Sequence, residues 1–140
     1  MKQIPVIFWT GTGNTQMMAD AVAEAINAAG AEAVVKNVSE ITADEAAGYD
    51  ALALGCPAMG AEVLEECEFE PFFTELEGKL AGKKVALFGS YGWGGTYMQD
   101  WEARVKDAGA TLVADGVLAL GVPDNEAMAK LAEAGKLLAE

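Results

Sequence analysis

The sequence has 140 residues but no histidine and only two cysteines. Without histidine, the commonest general base, the Ser–His and Cys–His nucleophile pairs and the commonest transition-metal ligand are excluded. Cys56 and Cys67 form no C-x-x-C pair, so we expect neither a disulfide framework nor a metal site. Two structural thiols in a reducing compartment are the simpler interpretation.

Basic residues are also scarce, with 9 Lys and Arg against 22 Asp and Glu and a formal net charge of -13. Such a chain would be repelled by nucleic acid and by anionic lipid, whereas basic protein surfaces would attract it. The alternative is that the acidity serves only solubility.

Long apolar runs are missing as well, since no segment approaches the ~18 unbroken apolar residues of a membrane span. The amino-terminal MKQIPVIFW leads into a glycine-containing loop and not into a small-residue cleavage site, which argues against a signal peptide. We therefore expect a cytoplasmic protein, without membrane or nucleic-acid partners. Its length predicts one domain over residues 1–140.

Short apolar runs alternate with segments of helical period. The runs are continuously hydrophobic, which is typical of parallel strands covered on both faces. The predicted strands are Ile4–Trp9, Ala33–Val38, Ala51–Gly55, Lys84–Gly89 and Thr111–Leu120. Because a central strand does not favour proline, we expect the first strand to pair mainly from Val6 onward, after Pro5.

Helical spacing of apolar residues predicts four helices between and after these strands, with a weaker one near Thr42–Ala47. The predicted inward faces are Met18, Val22, Ile26 and Ala29; Phe72, Leu76 and Leu80; Tyr97, Trp101, Val105 and Ala108; and Met128, Leu131, Ala132, Gly135 and Leu138. This alternation predicts a three-layer α/β fold with a parallel sheet.

The loop after the first strand is T-G-T-G-N-T, residues 10–15. It lacks the third glycine of a dinucleotide fingerprint and the lysine of a P-loop. What remains is a set of backbone N–H groups, three threonine hydroxyls and a helix amino terminus, all of which can donate to a phosphate. Gly11 and Gly13 let the backbone approach the anion. The alternative is a tight turn without a ligand.

Two further loops should lie at the same edge of the sheet, because ligands of open parallel sheets bind outside the carboxyl ends of the strands. G-C-P-A-M-G-A-E, residues 55–62, offers Met59, a mobile peptide at Gly60 and the carboxylate of Glu62. G-S-Y-G-W-G-G, residues 89–95, presents Tyr91 and Trp93 among four glycines. These aromatic rings suit stacking on a flat ring. The alternatives are a methionine that packs inward and a core tryptophan.

A phosphate loop, an aromatic platform and a mobile peptide beside a carboxylate together indicate a site for flavin mononucleotide (FMN). With TGTGNT, GCPAMG and LFGSYGWG, the chain resembles the short-chain, clostridial-type flavodoxins along essentially its whole length, including Glu65–Phe73. The resemblance implies a flavodoxin-like fold, a five-stranded parallel sheet in the order 2-1-3-4-5 with helices on both faces.

The resemblance also implies the contacts of the cofactor. Met59 and Trp93 would cover the two faces of the isoalloxazine ring, Glu62 would accept from N3–H, and the Gly60 carbonyl would turn toward N5. Thr10, Thr12, Asn14 and Thr15 with the intervening amides would hold the phosphate. The full implied set is Thr10, Gly11, Thr12, Gly13, Asn14, Thr15, Pro57, Ala58, Met59, Gly60, Ala61, Glu62, Ser90, Tyr91, Gly92, Trp93 and Gly94.

The implied function is electron transfer and not enzyme catalysis, with FMN shuttling at low potential between semiquinone and hydroquinone. The implied partners are reductases and electron acceptors with basic docking surfaces. The chain itself would be a monomer. A small FMN-dependent quinone or nitro reductase is the alternative, and it would need a substrate pocket over the ring. A flavin-free phosphoacceptor domain would need clustered aspartates at the strand ends, where these loops have glycines and threonines.

Overall fold

The structure is a computed structural model, and it describes residues 3–9, 13–57, 68–91, 97–120 and 122–140. Strands and helices alternate along these ranges, as the sequence predicts. In chain order they are β1 Gln3–Phe8, α1 Asn14–Ala28, β2 Glu32–Asn37, α2 Ala43–Ala46, β3 Ala51–Gly55, α3 Phe69–Glu77, β4 Lys84–Tyr91, α4 Tyr97–Asp107, β5 Thr111–Leu112, β6 Val117–Leu120 and α5 Asn125–Ala139.

The strands form one parallel sheet in the order β2-β1-β3-β4-β5, with β6 also paired to β4. This confirms the predicted order 2-1-3-4-5. The helices cover both faces of the sheet: α1 and α5 pack on one face, and α2, α3 and α4 pack on the other.

The fifth strand was predicted as one run from 111 to 120, and it is instead two pieces. The four residues 113–116 lie between the two pieces, opposite only two residues of β4, Ala86 and Leu87. This local excess of residues is a bulge, which an edge strand accommodates readily. The Glu102 carboxylate on α4 accepts a hydrogen bond from the Gly116 amide at 2.7 Å and holds the bulge in place.

Pro5 lies at a position of β1 where no N–H group is needed for strand pairing. Trp9 donates its amide to the Gly55 carbonyl of β3 at 3.0 Å. Since successive residues of a parallel strand bond alternately to its two neighbours, Pro5 also faces β3, whose pairing with β1 starts only at Val6. The expected start at Val6 therefore holds for β3, but it is wrong for β2, which pairs along all of β1.

The predicted inward faces of α1, α3 and α4 are confirmed within the helices. Three predicted residues lie beyond the helix ends: Ala29 is exposed, Leu80 is buried and Ala108 is half-buried.

The face of α5 was predicted correctly at Leu131, Gly135 and Leu138, which are buried. Met128 and Ala132, which were predicted to be buried, are exposed, and Ala127 and Ala134 are buried in addition. The close contact of α5 with α1 at Gly135 sets which residues face inward.

Candidate functional site at the carboxyl edge of the sheet

Three adjacent strands of the sheet end at the same edge. β1 ends at Phe8, β3 at Gly55 and β4 at Tyr91, and the three predicted ligand loops follow them. Part of each loop lies outside the described residues. The predicted contacts that lie there are Thr10, Gly11, Thr12, Ala58, Met59, Gly60, Ala61, Glu62, Gly92, Trp93 and Gly94.

The start of α1 has the geometry of an anion-binding turn. Gly13 precedes the helix in the left-handed region, with φ of 94°, and among the described residues no atom lies within 4 Å of the position of a Cβ. Glycine suits this conformation, which other residues adopt only with strain. The first turn that follows contains no acidic side chain, so the turn itself contributes no carboxylate that would oppose an anion at the helix N–H groups. Asn14 is the first residue of the helix.

Thr15 and Ser90 are brought together from positions 75 residues apart. Thr15 lies in the first turn of α1 and is 1% exposed, while Ser90 lies near the end of β4 and is 7% exposed. Their hydroxyl oxygens are 3.2 Å apart, and either one can donate. The bond therefore ties the start of the first loop's helix to the start of the third loop.

Two more hydrogen bonds join the remaining pairs of loops. The Tyr97 hydroxyl, at the first residue of α4, donates to the Cys56 carbonyl at 2.8 Å. The indole N–H of Trp9, directly after β1, donates to the Glu68 carboxylate at 3.3 Å. The first of these bonds connects the second and third loops, and the other connects the first and second loops. Together with the bond between Thr15 and Ser90, these two bonds link the ends of all three loops.

Three of the residues in these links were not predicted to lie at this site. The sequence pattern places Tyr97 on the core face of α4 and Trp9 at the end of a strand, and it indicates no contact for Glu68. A detectable signal existed for Tyr97, because a tyrosine on a buried helix face needs a partner for its hydroxyl. No signal in the sequence identifies the Cys56 carbonyl as that partner.

Pro57 and Tyr91 are the other predicted contacts within the described residues. Both are half-buried: Tyr91 is the last residue of β4, and Pro57 lies two residues after the end of β3. Tyr91 packs against the hydrophobic cluster on the α3 and α4 face of the sheet. Cys56 is fully buried, and its thiol lies 3.5 Å from the Pro57 carbonyl oxygen.

The described residues fit the phosphate end of FMN. A glycine in the left-handed region, a helix amino terminus and a threonine hydroxyl supply donors of the kind that bind a phosphate, without a positive charge. Within the described ranges, no three Cys, Asp or Glu residues are grouped so that they could hold a metal ion. In the same ranges, no helix combines the length and the apolar character needed to cross a membrane.

Comparisons with known proteins agree with this geometry. Residues 6–135 match the flavodoxin family profile. The chain is 47% identical over 135 residues to the flavodoxin of Clostridium beijerinckii, covering 96% of this chain and 97% of that one. It is 46% identical over 123 residues to the flavodoxin of Megasphaera elsdenii, covering 87% of this chain and 89% of that one.

A solved structure gives the same result at the level of the fold. The solution structure of two-electron reduced Megasphaera elsdenii flavodoxin superposes with a TM-score of 0.89 at 44% identity, covering 97% of this chain and 98% of that one. The predicted resemblance to clostridial-type flavodoxins is thereby confirmed. The relatives are electron-transfer proteins, which decides against the reductase alternative. The chain belongs to the flavodoxin family of FMN-binding electron carriers.

Proposed function

We propose that residues 1–140 form a single FMN-binding domain that carries electrons one at a time, at low potential, between redox proteins. The domain acts as a cytoplasmic monomer. The observation that supports this most directly is the hydroxyl pair of Thr15 and Ser90, which is buried at the sheet edge beside an uncharged helix amino terminus.

The turn from Thr10 to Thr15 would hold the phosphate. Gly13 would let the backbone approach it, and the Thr15 hydroxyl would donate to a phosphate oxygen while Ser90 donates to Thr15. This direction of donation is possible because the hydroxyl hydrogens of both residues rotate between partners. The helix N–H groups and the hydroxyls would stabilise the dianion by donated hydrogen bonds, without a counter-cation.

The ring of the cofactor would lie beside Pro57 and Tyr91, which border this edge of the sheet and would exclude water from it. Bound FMN would supply the redox chemistry, because its isoalloxazine ring accepts and releases electrons singly. Met59 and Trp93 would cover its two faces, and the Gly60 peptide carbonyl and the Glu62 carboxylate would accept hydrogen bonds from its N–H groups. The remaining proposed contacts are Ala58, Ala61, Gly92 and Gly94.

The negative charge of the chain sets both the potential and the partners. The net charge is -13, and Glu68 lies at the start of α3, directly after the second loop, whereas the neighbouring Glu70 is paired with Arg104. Carboxylates near the ring make it less favourable to add an electron, which lowers the potential. The same charges attract reductases and acceptors through basic docking surfaces.

The test compares FMN with riboflavin, which lacks the phosphate, on wild-type protein and on Thr15→Val. A hydrogen bond to a charged group contributes about 1.5–3 kcal/mol, so the affinity for FMN should fall roughly 10- to 100-fold. The affinity for riboflavin should stay the same. Thr111→Val is the matched control, because Thr111 is exposed on β5 and pairs with the amino end of β4. Equal losses for both flavins, or no loss at all, would contradict the assignment of Thr15.

A further inference from the structure

The hydroxyl of the buried Tyr97 forms a hydrogen bond with the backbone at the start of the second loop. Tyr97 is 2% exposed and is the first residue of α4, directly after residues 92–96. Its hydroxyl reaches the carbonyl of Cys56, which directly follows the last residue of β3. One hydrogen bond of 2.8 Å therefore connects the end of the third loop to the beginning of the second.

Strand β4 makes room for this bond. A Cβ at Gly89 would overlap both the Cys56 carbonyl oxygen and the Tyr97 hydroxyl, so glycine is required by the close approach. On the same strand, the Phe88 carbonyl accepts the Cys56 amide at 3.1 Å. Cys56 is thus held by β4 through its N–H group and by α4 through its carbonyl group.

Packing fixes the direction of the Tyr97 side chain. Its ring lies nearly parallel to that of Trp101, with centroids 6.5 Å apart and an angle of 25° between the planes. Trp101 is itself held edge-on by Phe69 and Phe73 of α3, at 5.5 and 5.9 Å between centroids. The aromatic cluster of α3 and α4 therefore orients the ring that carries this hydroxyl.

We propose that Tyr97 is a positioning residue for the flavin ring: its hydroxyl fixes Cys56, where the second loop begins, against the first residue of α4, where the third loop ends, and so sets the separation of the two loops at these points. This inference rests on the proposed function, because the separation matters only if the ring lies between these loops. A purely structural hydroxyl would contribute to folding stability and to nothing else.

The test uses Tyr97→Phe, which removes the hydroxyl and keeps the ring packing. Affinities for FMN and riboflavin are measured by quenching of flavin fluorescence, the midpoint potentials by equilibrium reduction, and the apoprotein stability by urea unfolding. Tyr49→Phe is the control, because Tyr49 is half-buried before β3, at the opposite end of that strand. Loss of one hydrogen bond leaves a domain of this size folded.

The expected result is that Tyr97→Phe weakens the binding of FMN and of riboflavin by the same factor, up to about 5-fold, because the coupling of this intramolecular bond to flavin binding cannot exceed its ordinary net strength. The midpoint potential also shifts, because loosened loops weaken the binding of each oxidation state by a different factor. Tyr49→Phe changes neither quantity.

Two results would overturn the inference while the proposed function stands. In one, Tyr97→Phe lowers apoprotein stability but leaves both affinities and the potential at the wild-type values. In the other, it weakens FMN alone, which would place its effect at the phosphate. Failure of wild-type protein to bind either flavin would overturn the proposed function, and the inference with it.

Discussion

Replacing Arg104 with methionine removes the positive charge that joins α4 to α3, the two helices that follow the ring-binding loops. The guanidinium donates to both Glu70 oxygens at 2.7 and 2.9 Å, and to both Glu77 oxygens at 3.1 Å. It also lies over the Phe73 ring, 4.7 Å from the centroid. Methionine keeps the apolar contact with this ring but leaves two carboxylates without their cation.

The size of the effect follows from this geometry. The side chains of Arg104 and Glu70 are 30% and 33% exposed, so solvent weakens the pair only in part. After this screening, the two partly exposed ion pairs of Arg104, with Glu70 and Glu77, together contribute about 2 kcal/mol at pH 7. For a domain of this size, that loss lowers the melting temperature by roughly 6 °C.

The effect should depend on pH with a definite sign. The hydrogen bonds from Arg104 hold the pKa of Glu70 below its ordinary value of 4.5, against the opposing effect of burial. Since the folded-state pKa is lowered, the contribution to stability is fully present above about pH 4.5 and is lost as the pH falls through the lowered pKa. The same interactions raise the pKa of Arg104, which stays charged throughout.

Urea unfolding of the apoprotein at pH 7 and at pH 3 measures this directly. Arg104→Met should be less stable than wild type by about 2 kcal/mol at pH 7, and the difference should shrink as Glu70 becomes protonated. Lys106→Met is the control, because Lys106 is exposed on the same helix, and it should change stability by less than about 0.5 kcal/mol. An equal loss of stability at both pH values would contradict a role for the ionised Glu70 carboxylate, since the loss would then come from packing alone.

Two further changes test how α5 is built. Gly135→Ala should cost about 1–3 kcal/mol in urea unfolding, because the added Cβ would lie 2.7 Å from the Val22 carbonyl oxygen and 2.9 Å from the Ala25 Cβ; unchanged stability would show that α1 and α5 separate easily. Asp124→Ala should cost about 1 kcal/mol, because the Asp124 carboxylate accepts from the Ala127 amide at 2.8 Å at the start of the helix. Asp124→Asn, which keeps an acceptor oxygen, should recover most of this loss, and no recovery would contradict the capping role.

Hydrophobic patterning predicts most of this fold. The continuous apolar run Ala51–Gly55 gives β3 with its predicted bounds, and all five of its residues are buried. The spacing of Met18, Val22 and Ile26 gives the buried face of α1. These succeed because each pattern depends only on local geometry and on which side of the element is covered.

The bulge between β5 and β6 could not be predicted in the same way. It depends on a contact between the Glu102 carboxylate and the Gly116 amide, which come together only once α4 has packed against the sheet. The exposure of Met128 has a similar cause, because the close approach of α5 to α1 at Gly135 determines which residues of α5 face inward.

The candidate site was likewise predicted only in part: its residues were expected at this edge, but the hydrogen bonds between them were not. Thr15 and Ser90 belong to motifs that the sequence displays, and their loops were expected at one edge of the sheet. Their direct bond joins positions 75 residues apart, and nothing in either motif indicates it. The bond between Tyr97 and the Cys56 carbonyl is harder still to anticipate, since one partner is a backbone group.

Stepwise anaerobic reduction of the FMN-loaded protein, followed by visible absorbance against measured potential, tests whether the chain carries electrons singly on FMN. Bleaching of the bound flavin in two resolved one-electron steps is the predicted result. Bleaching in a single two-electron step, with no separation between the potentials, would contradict it.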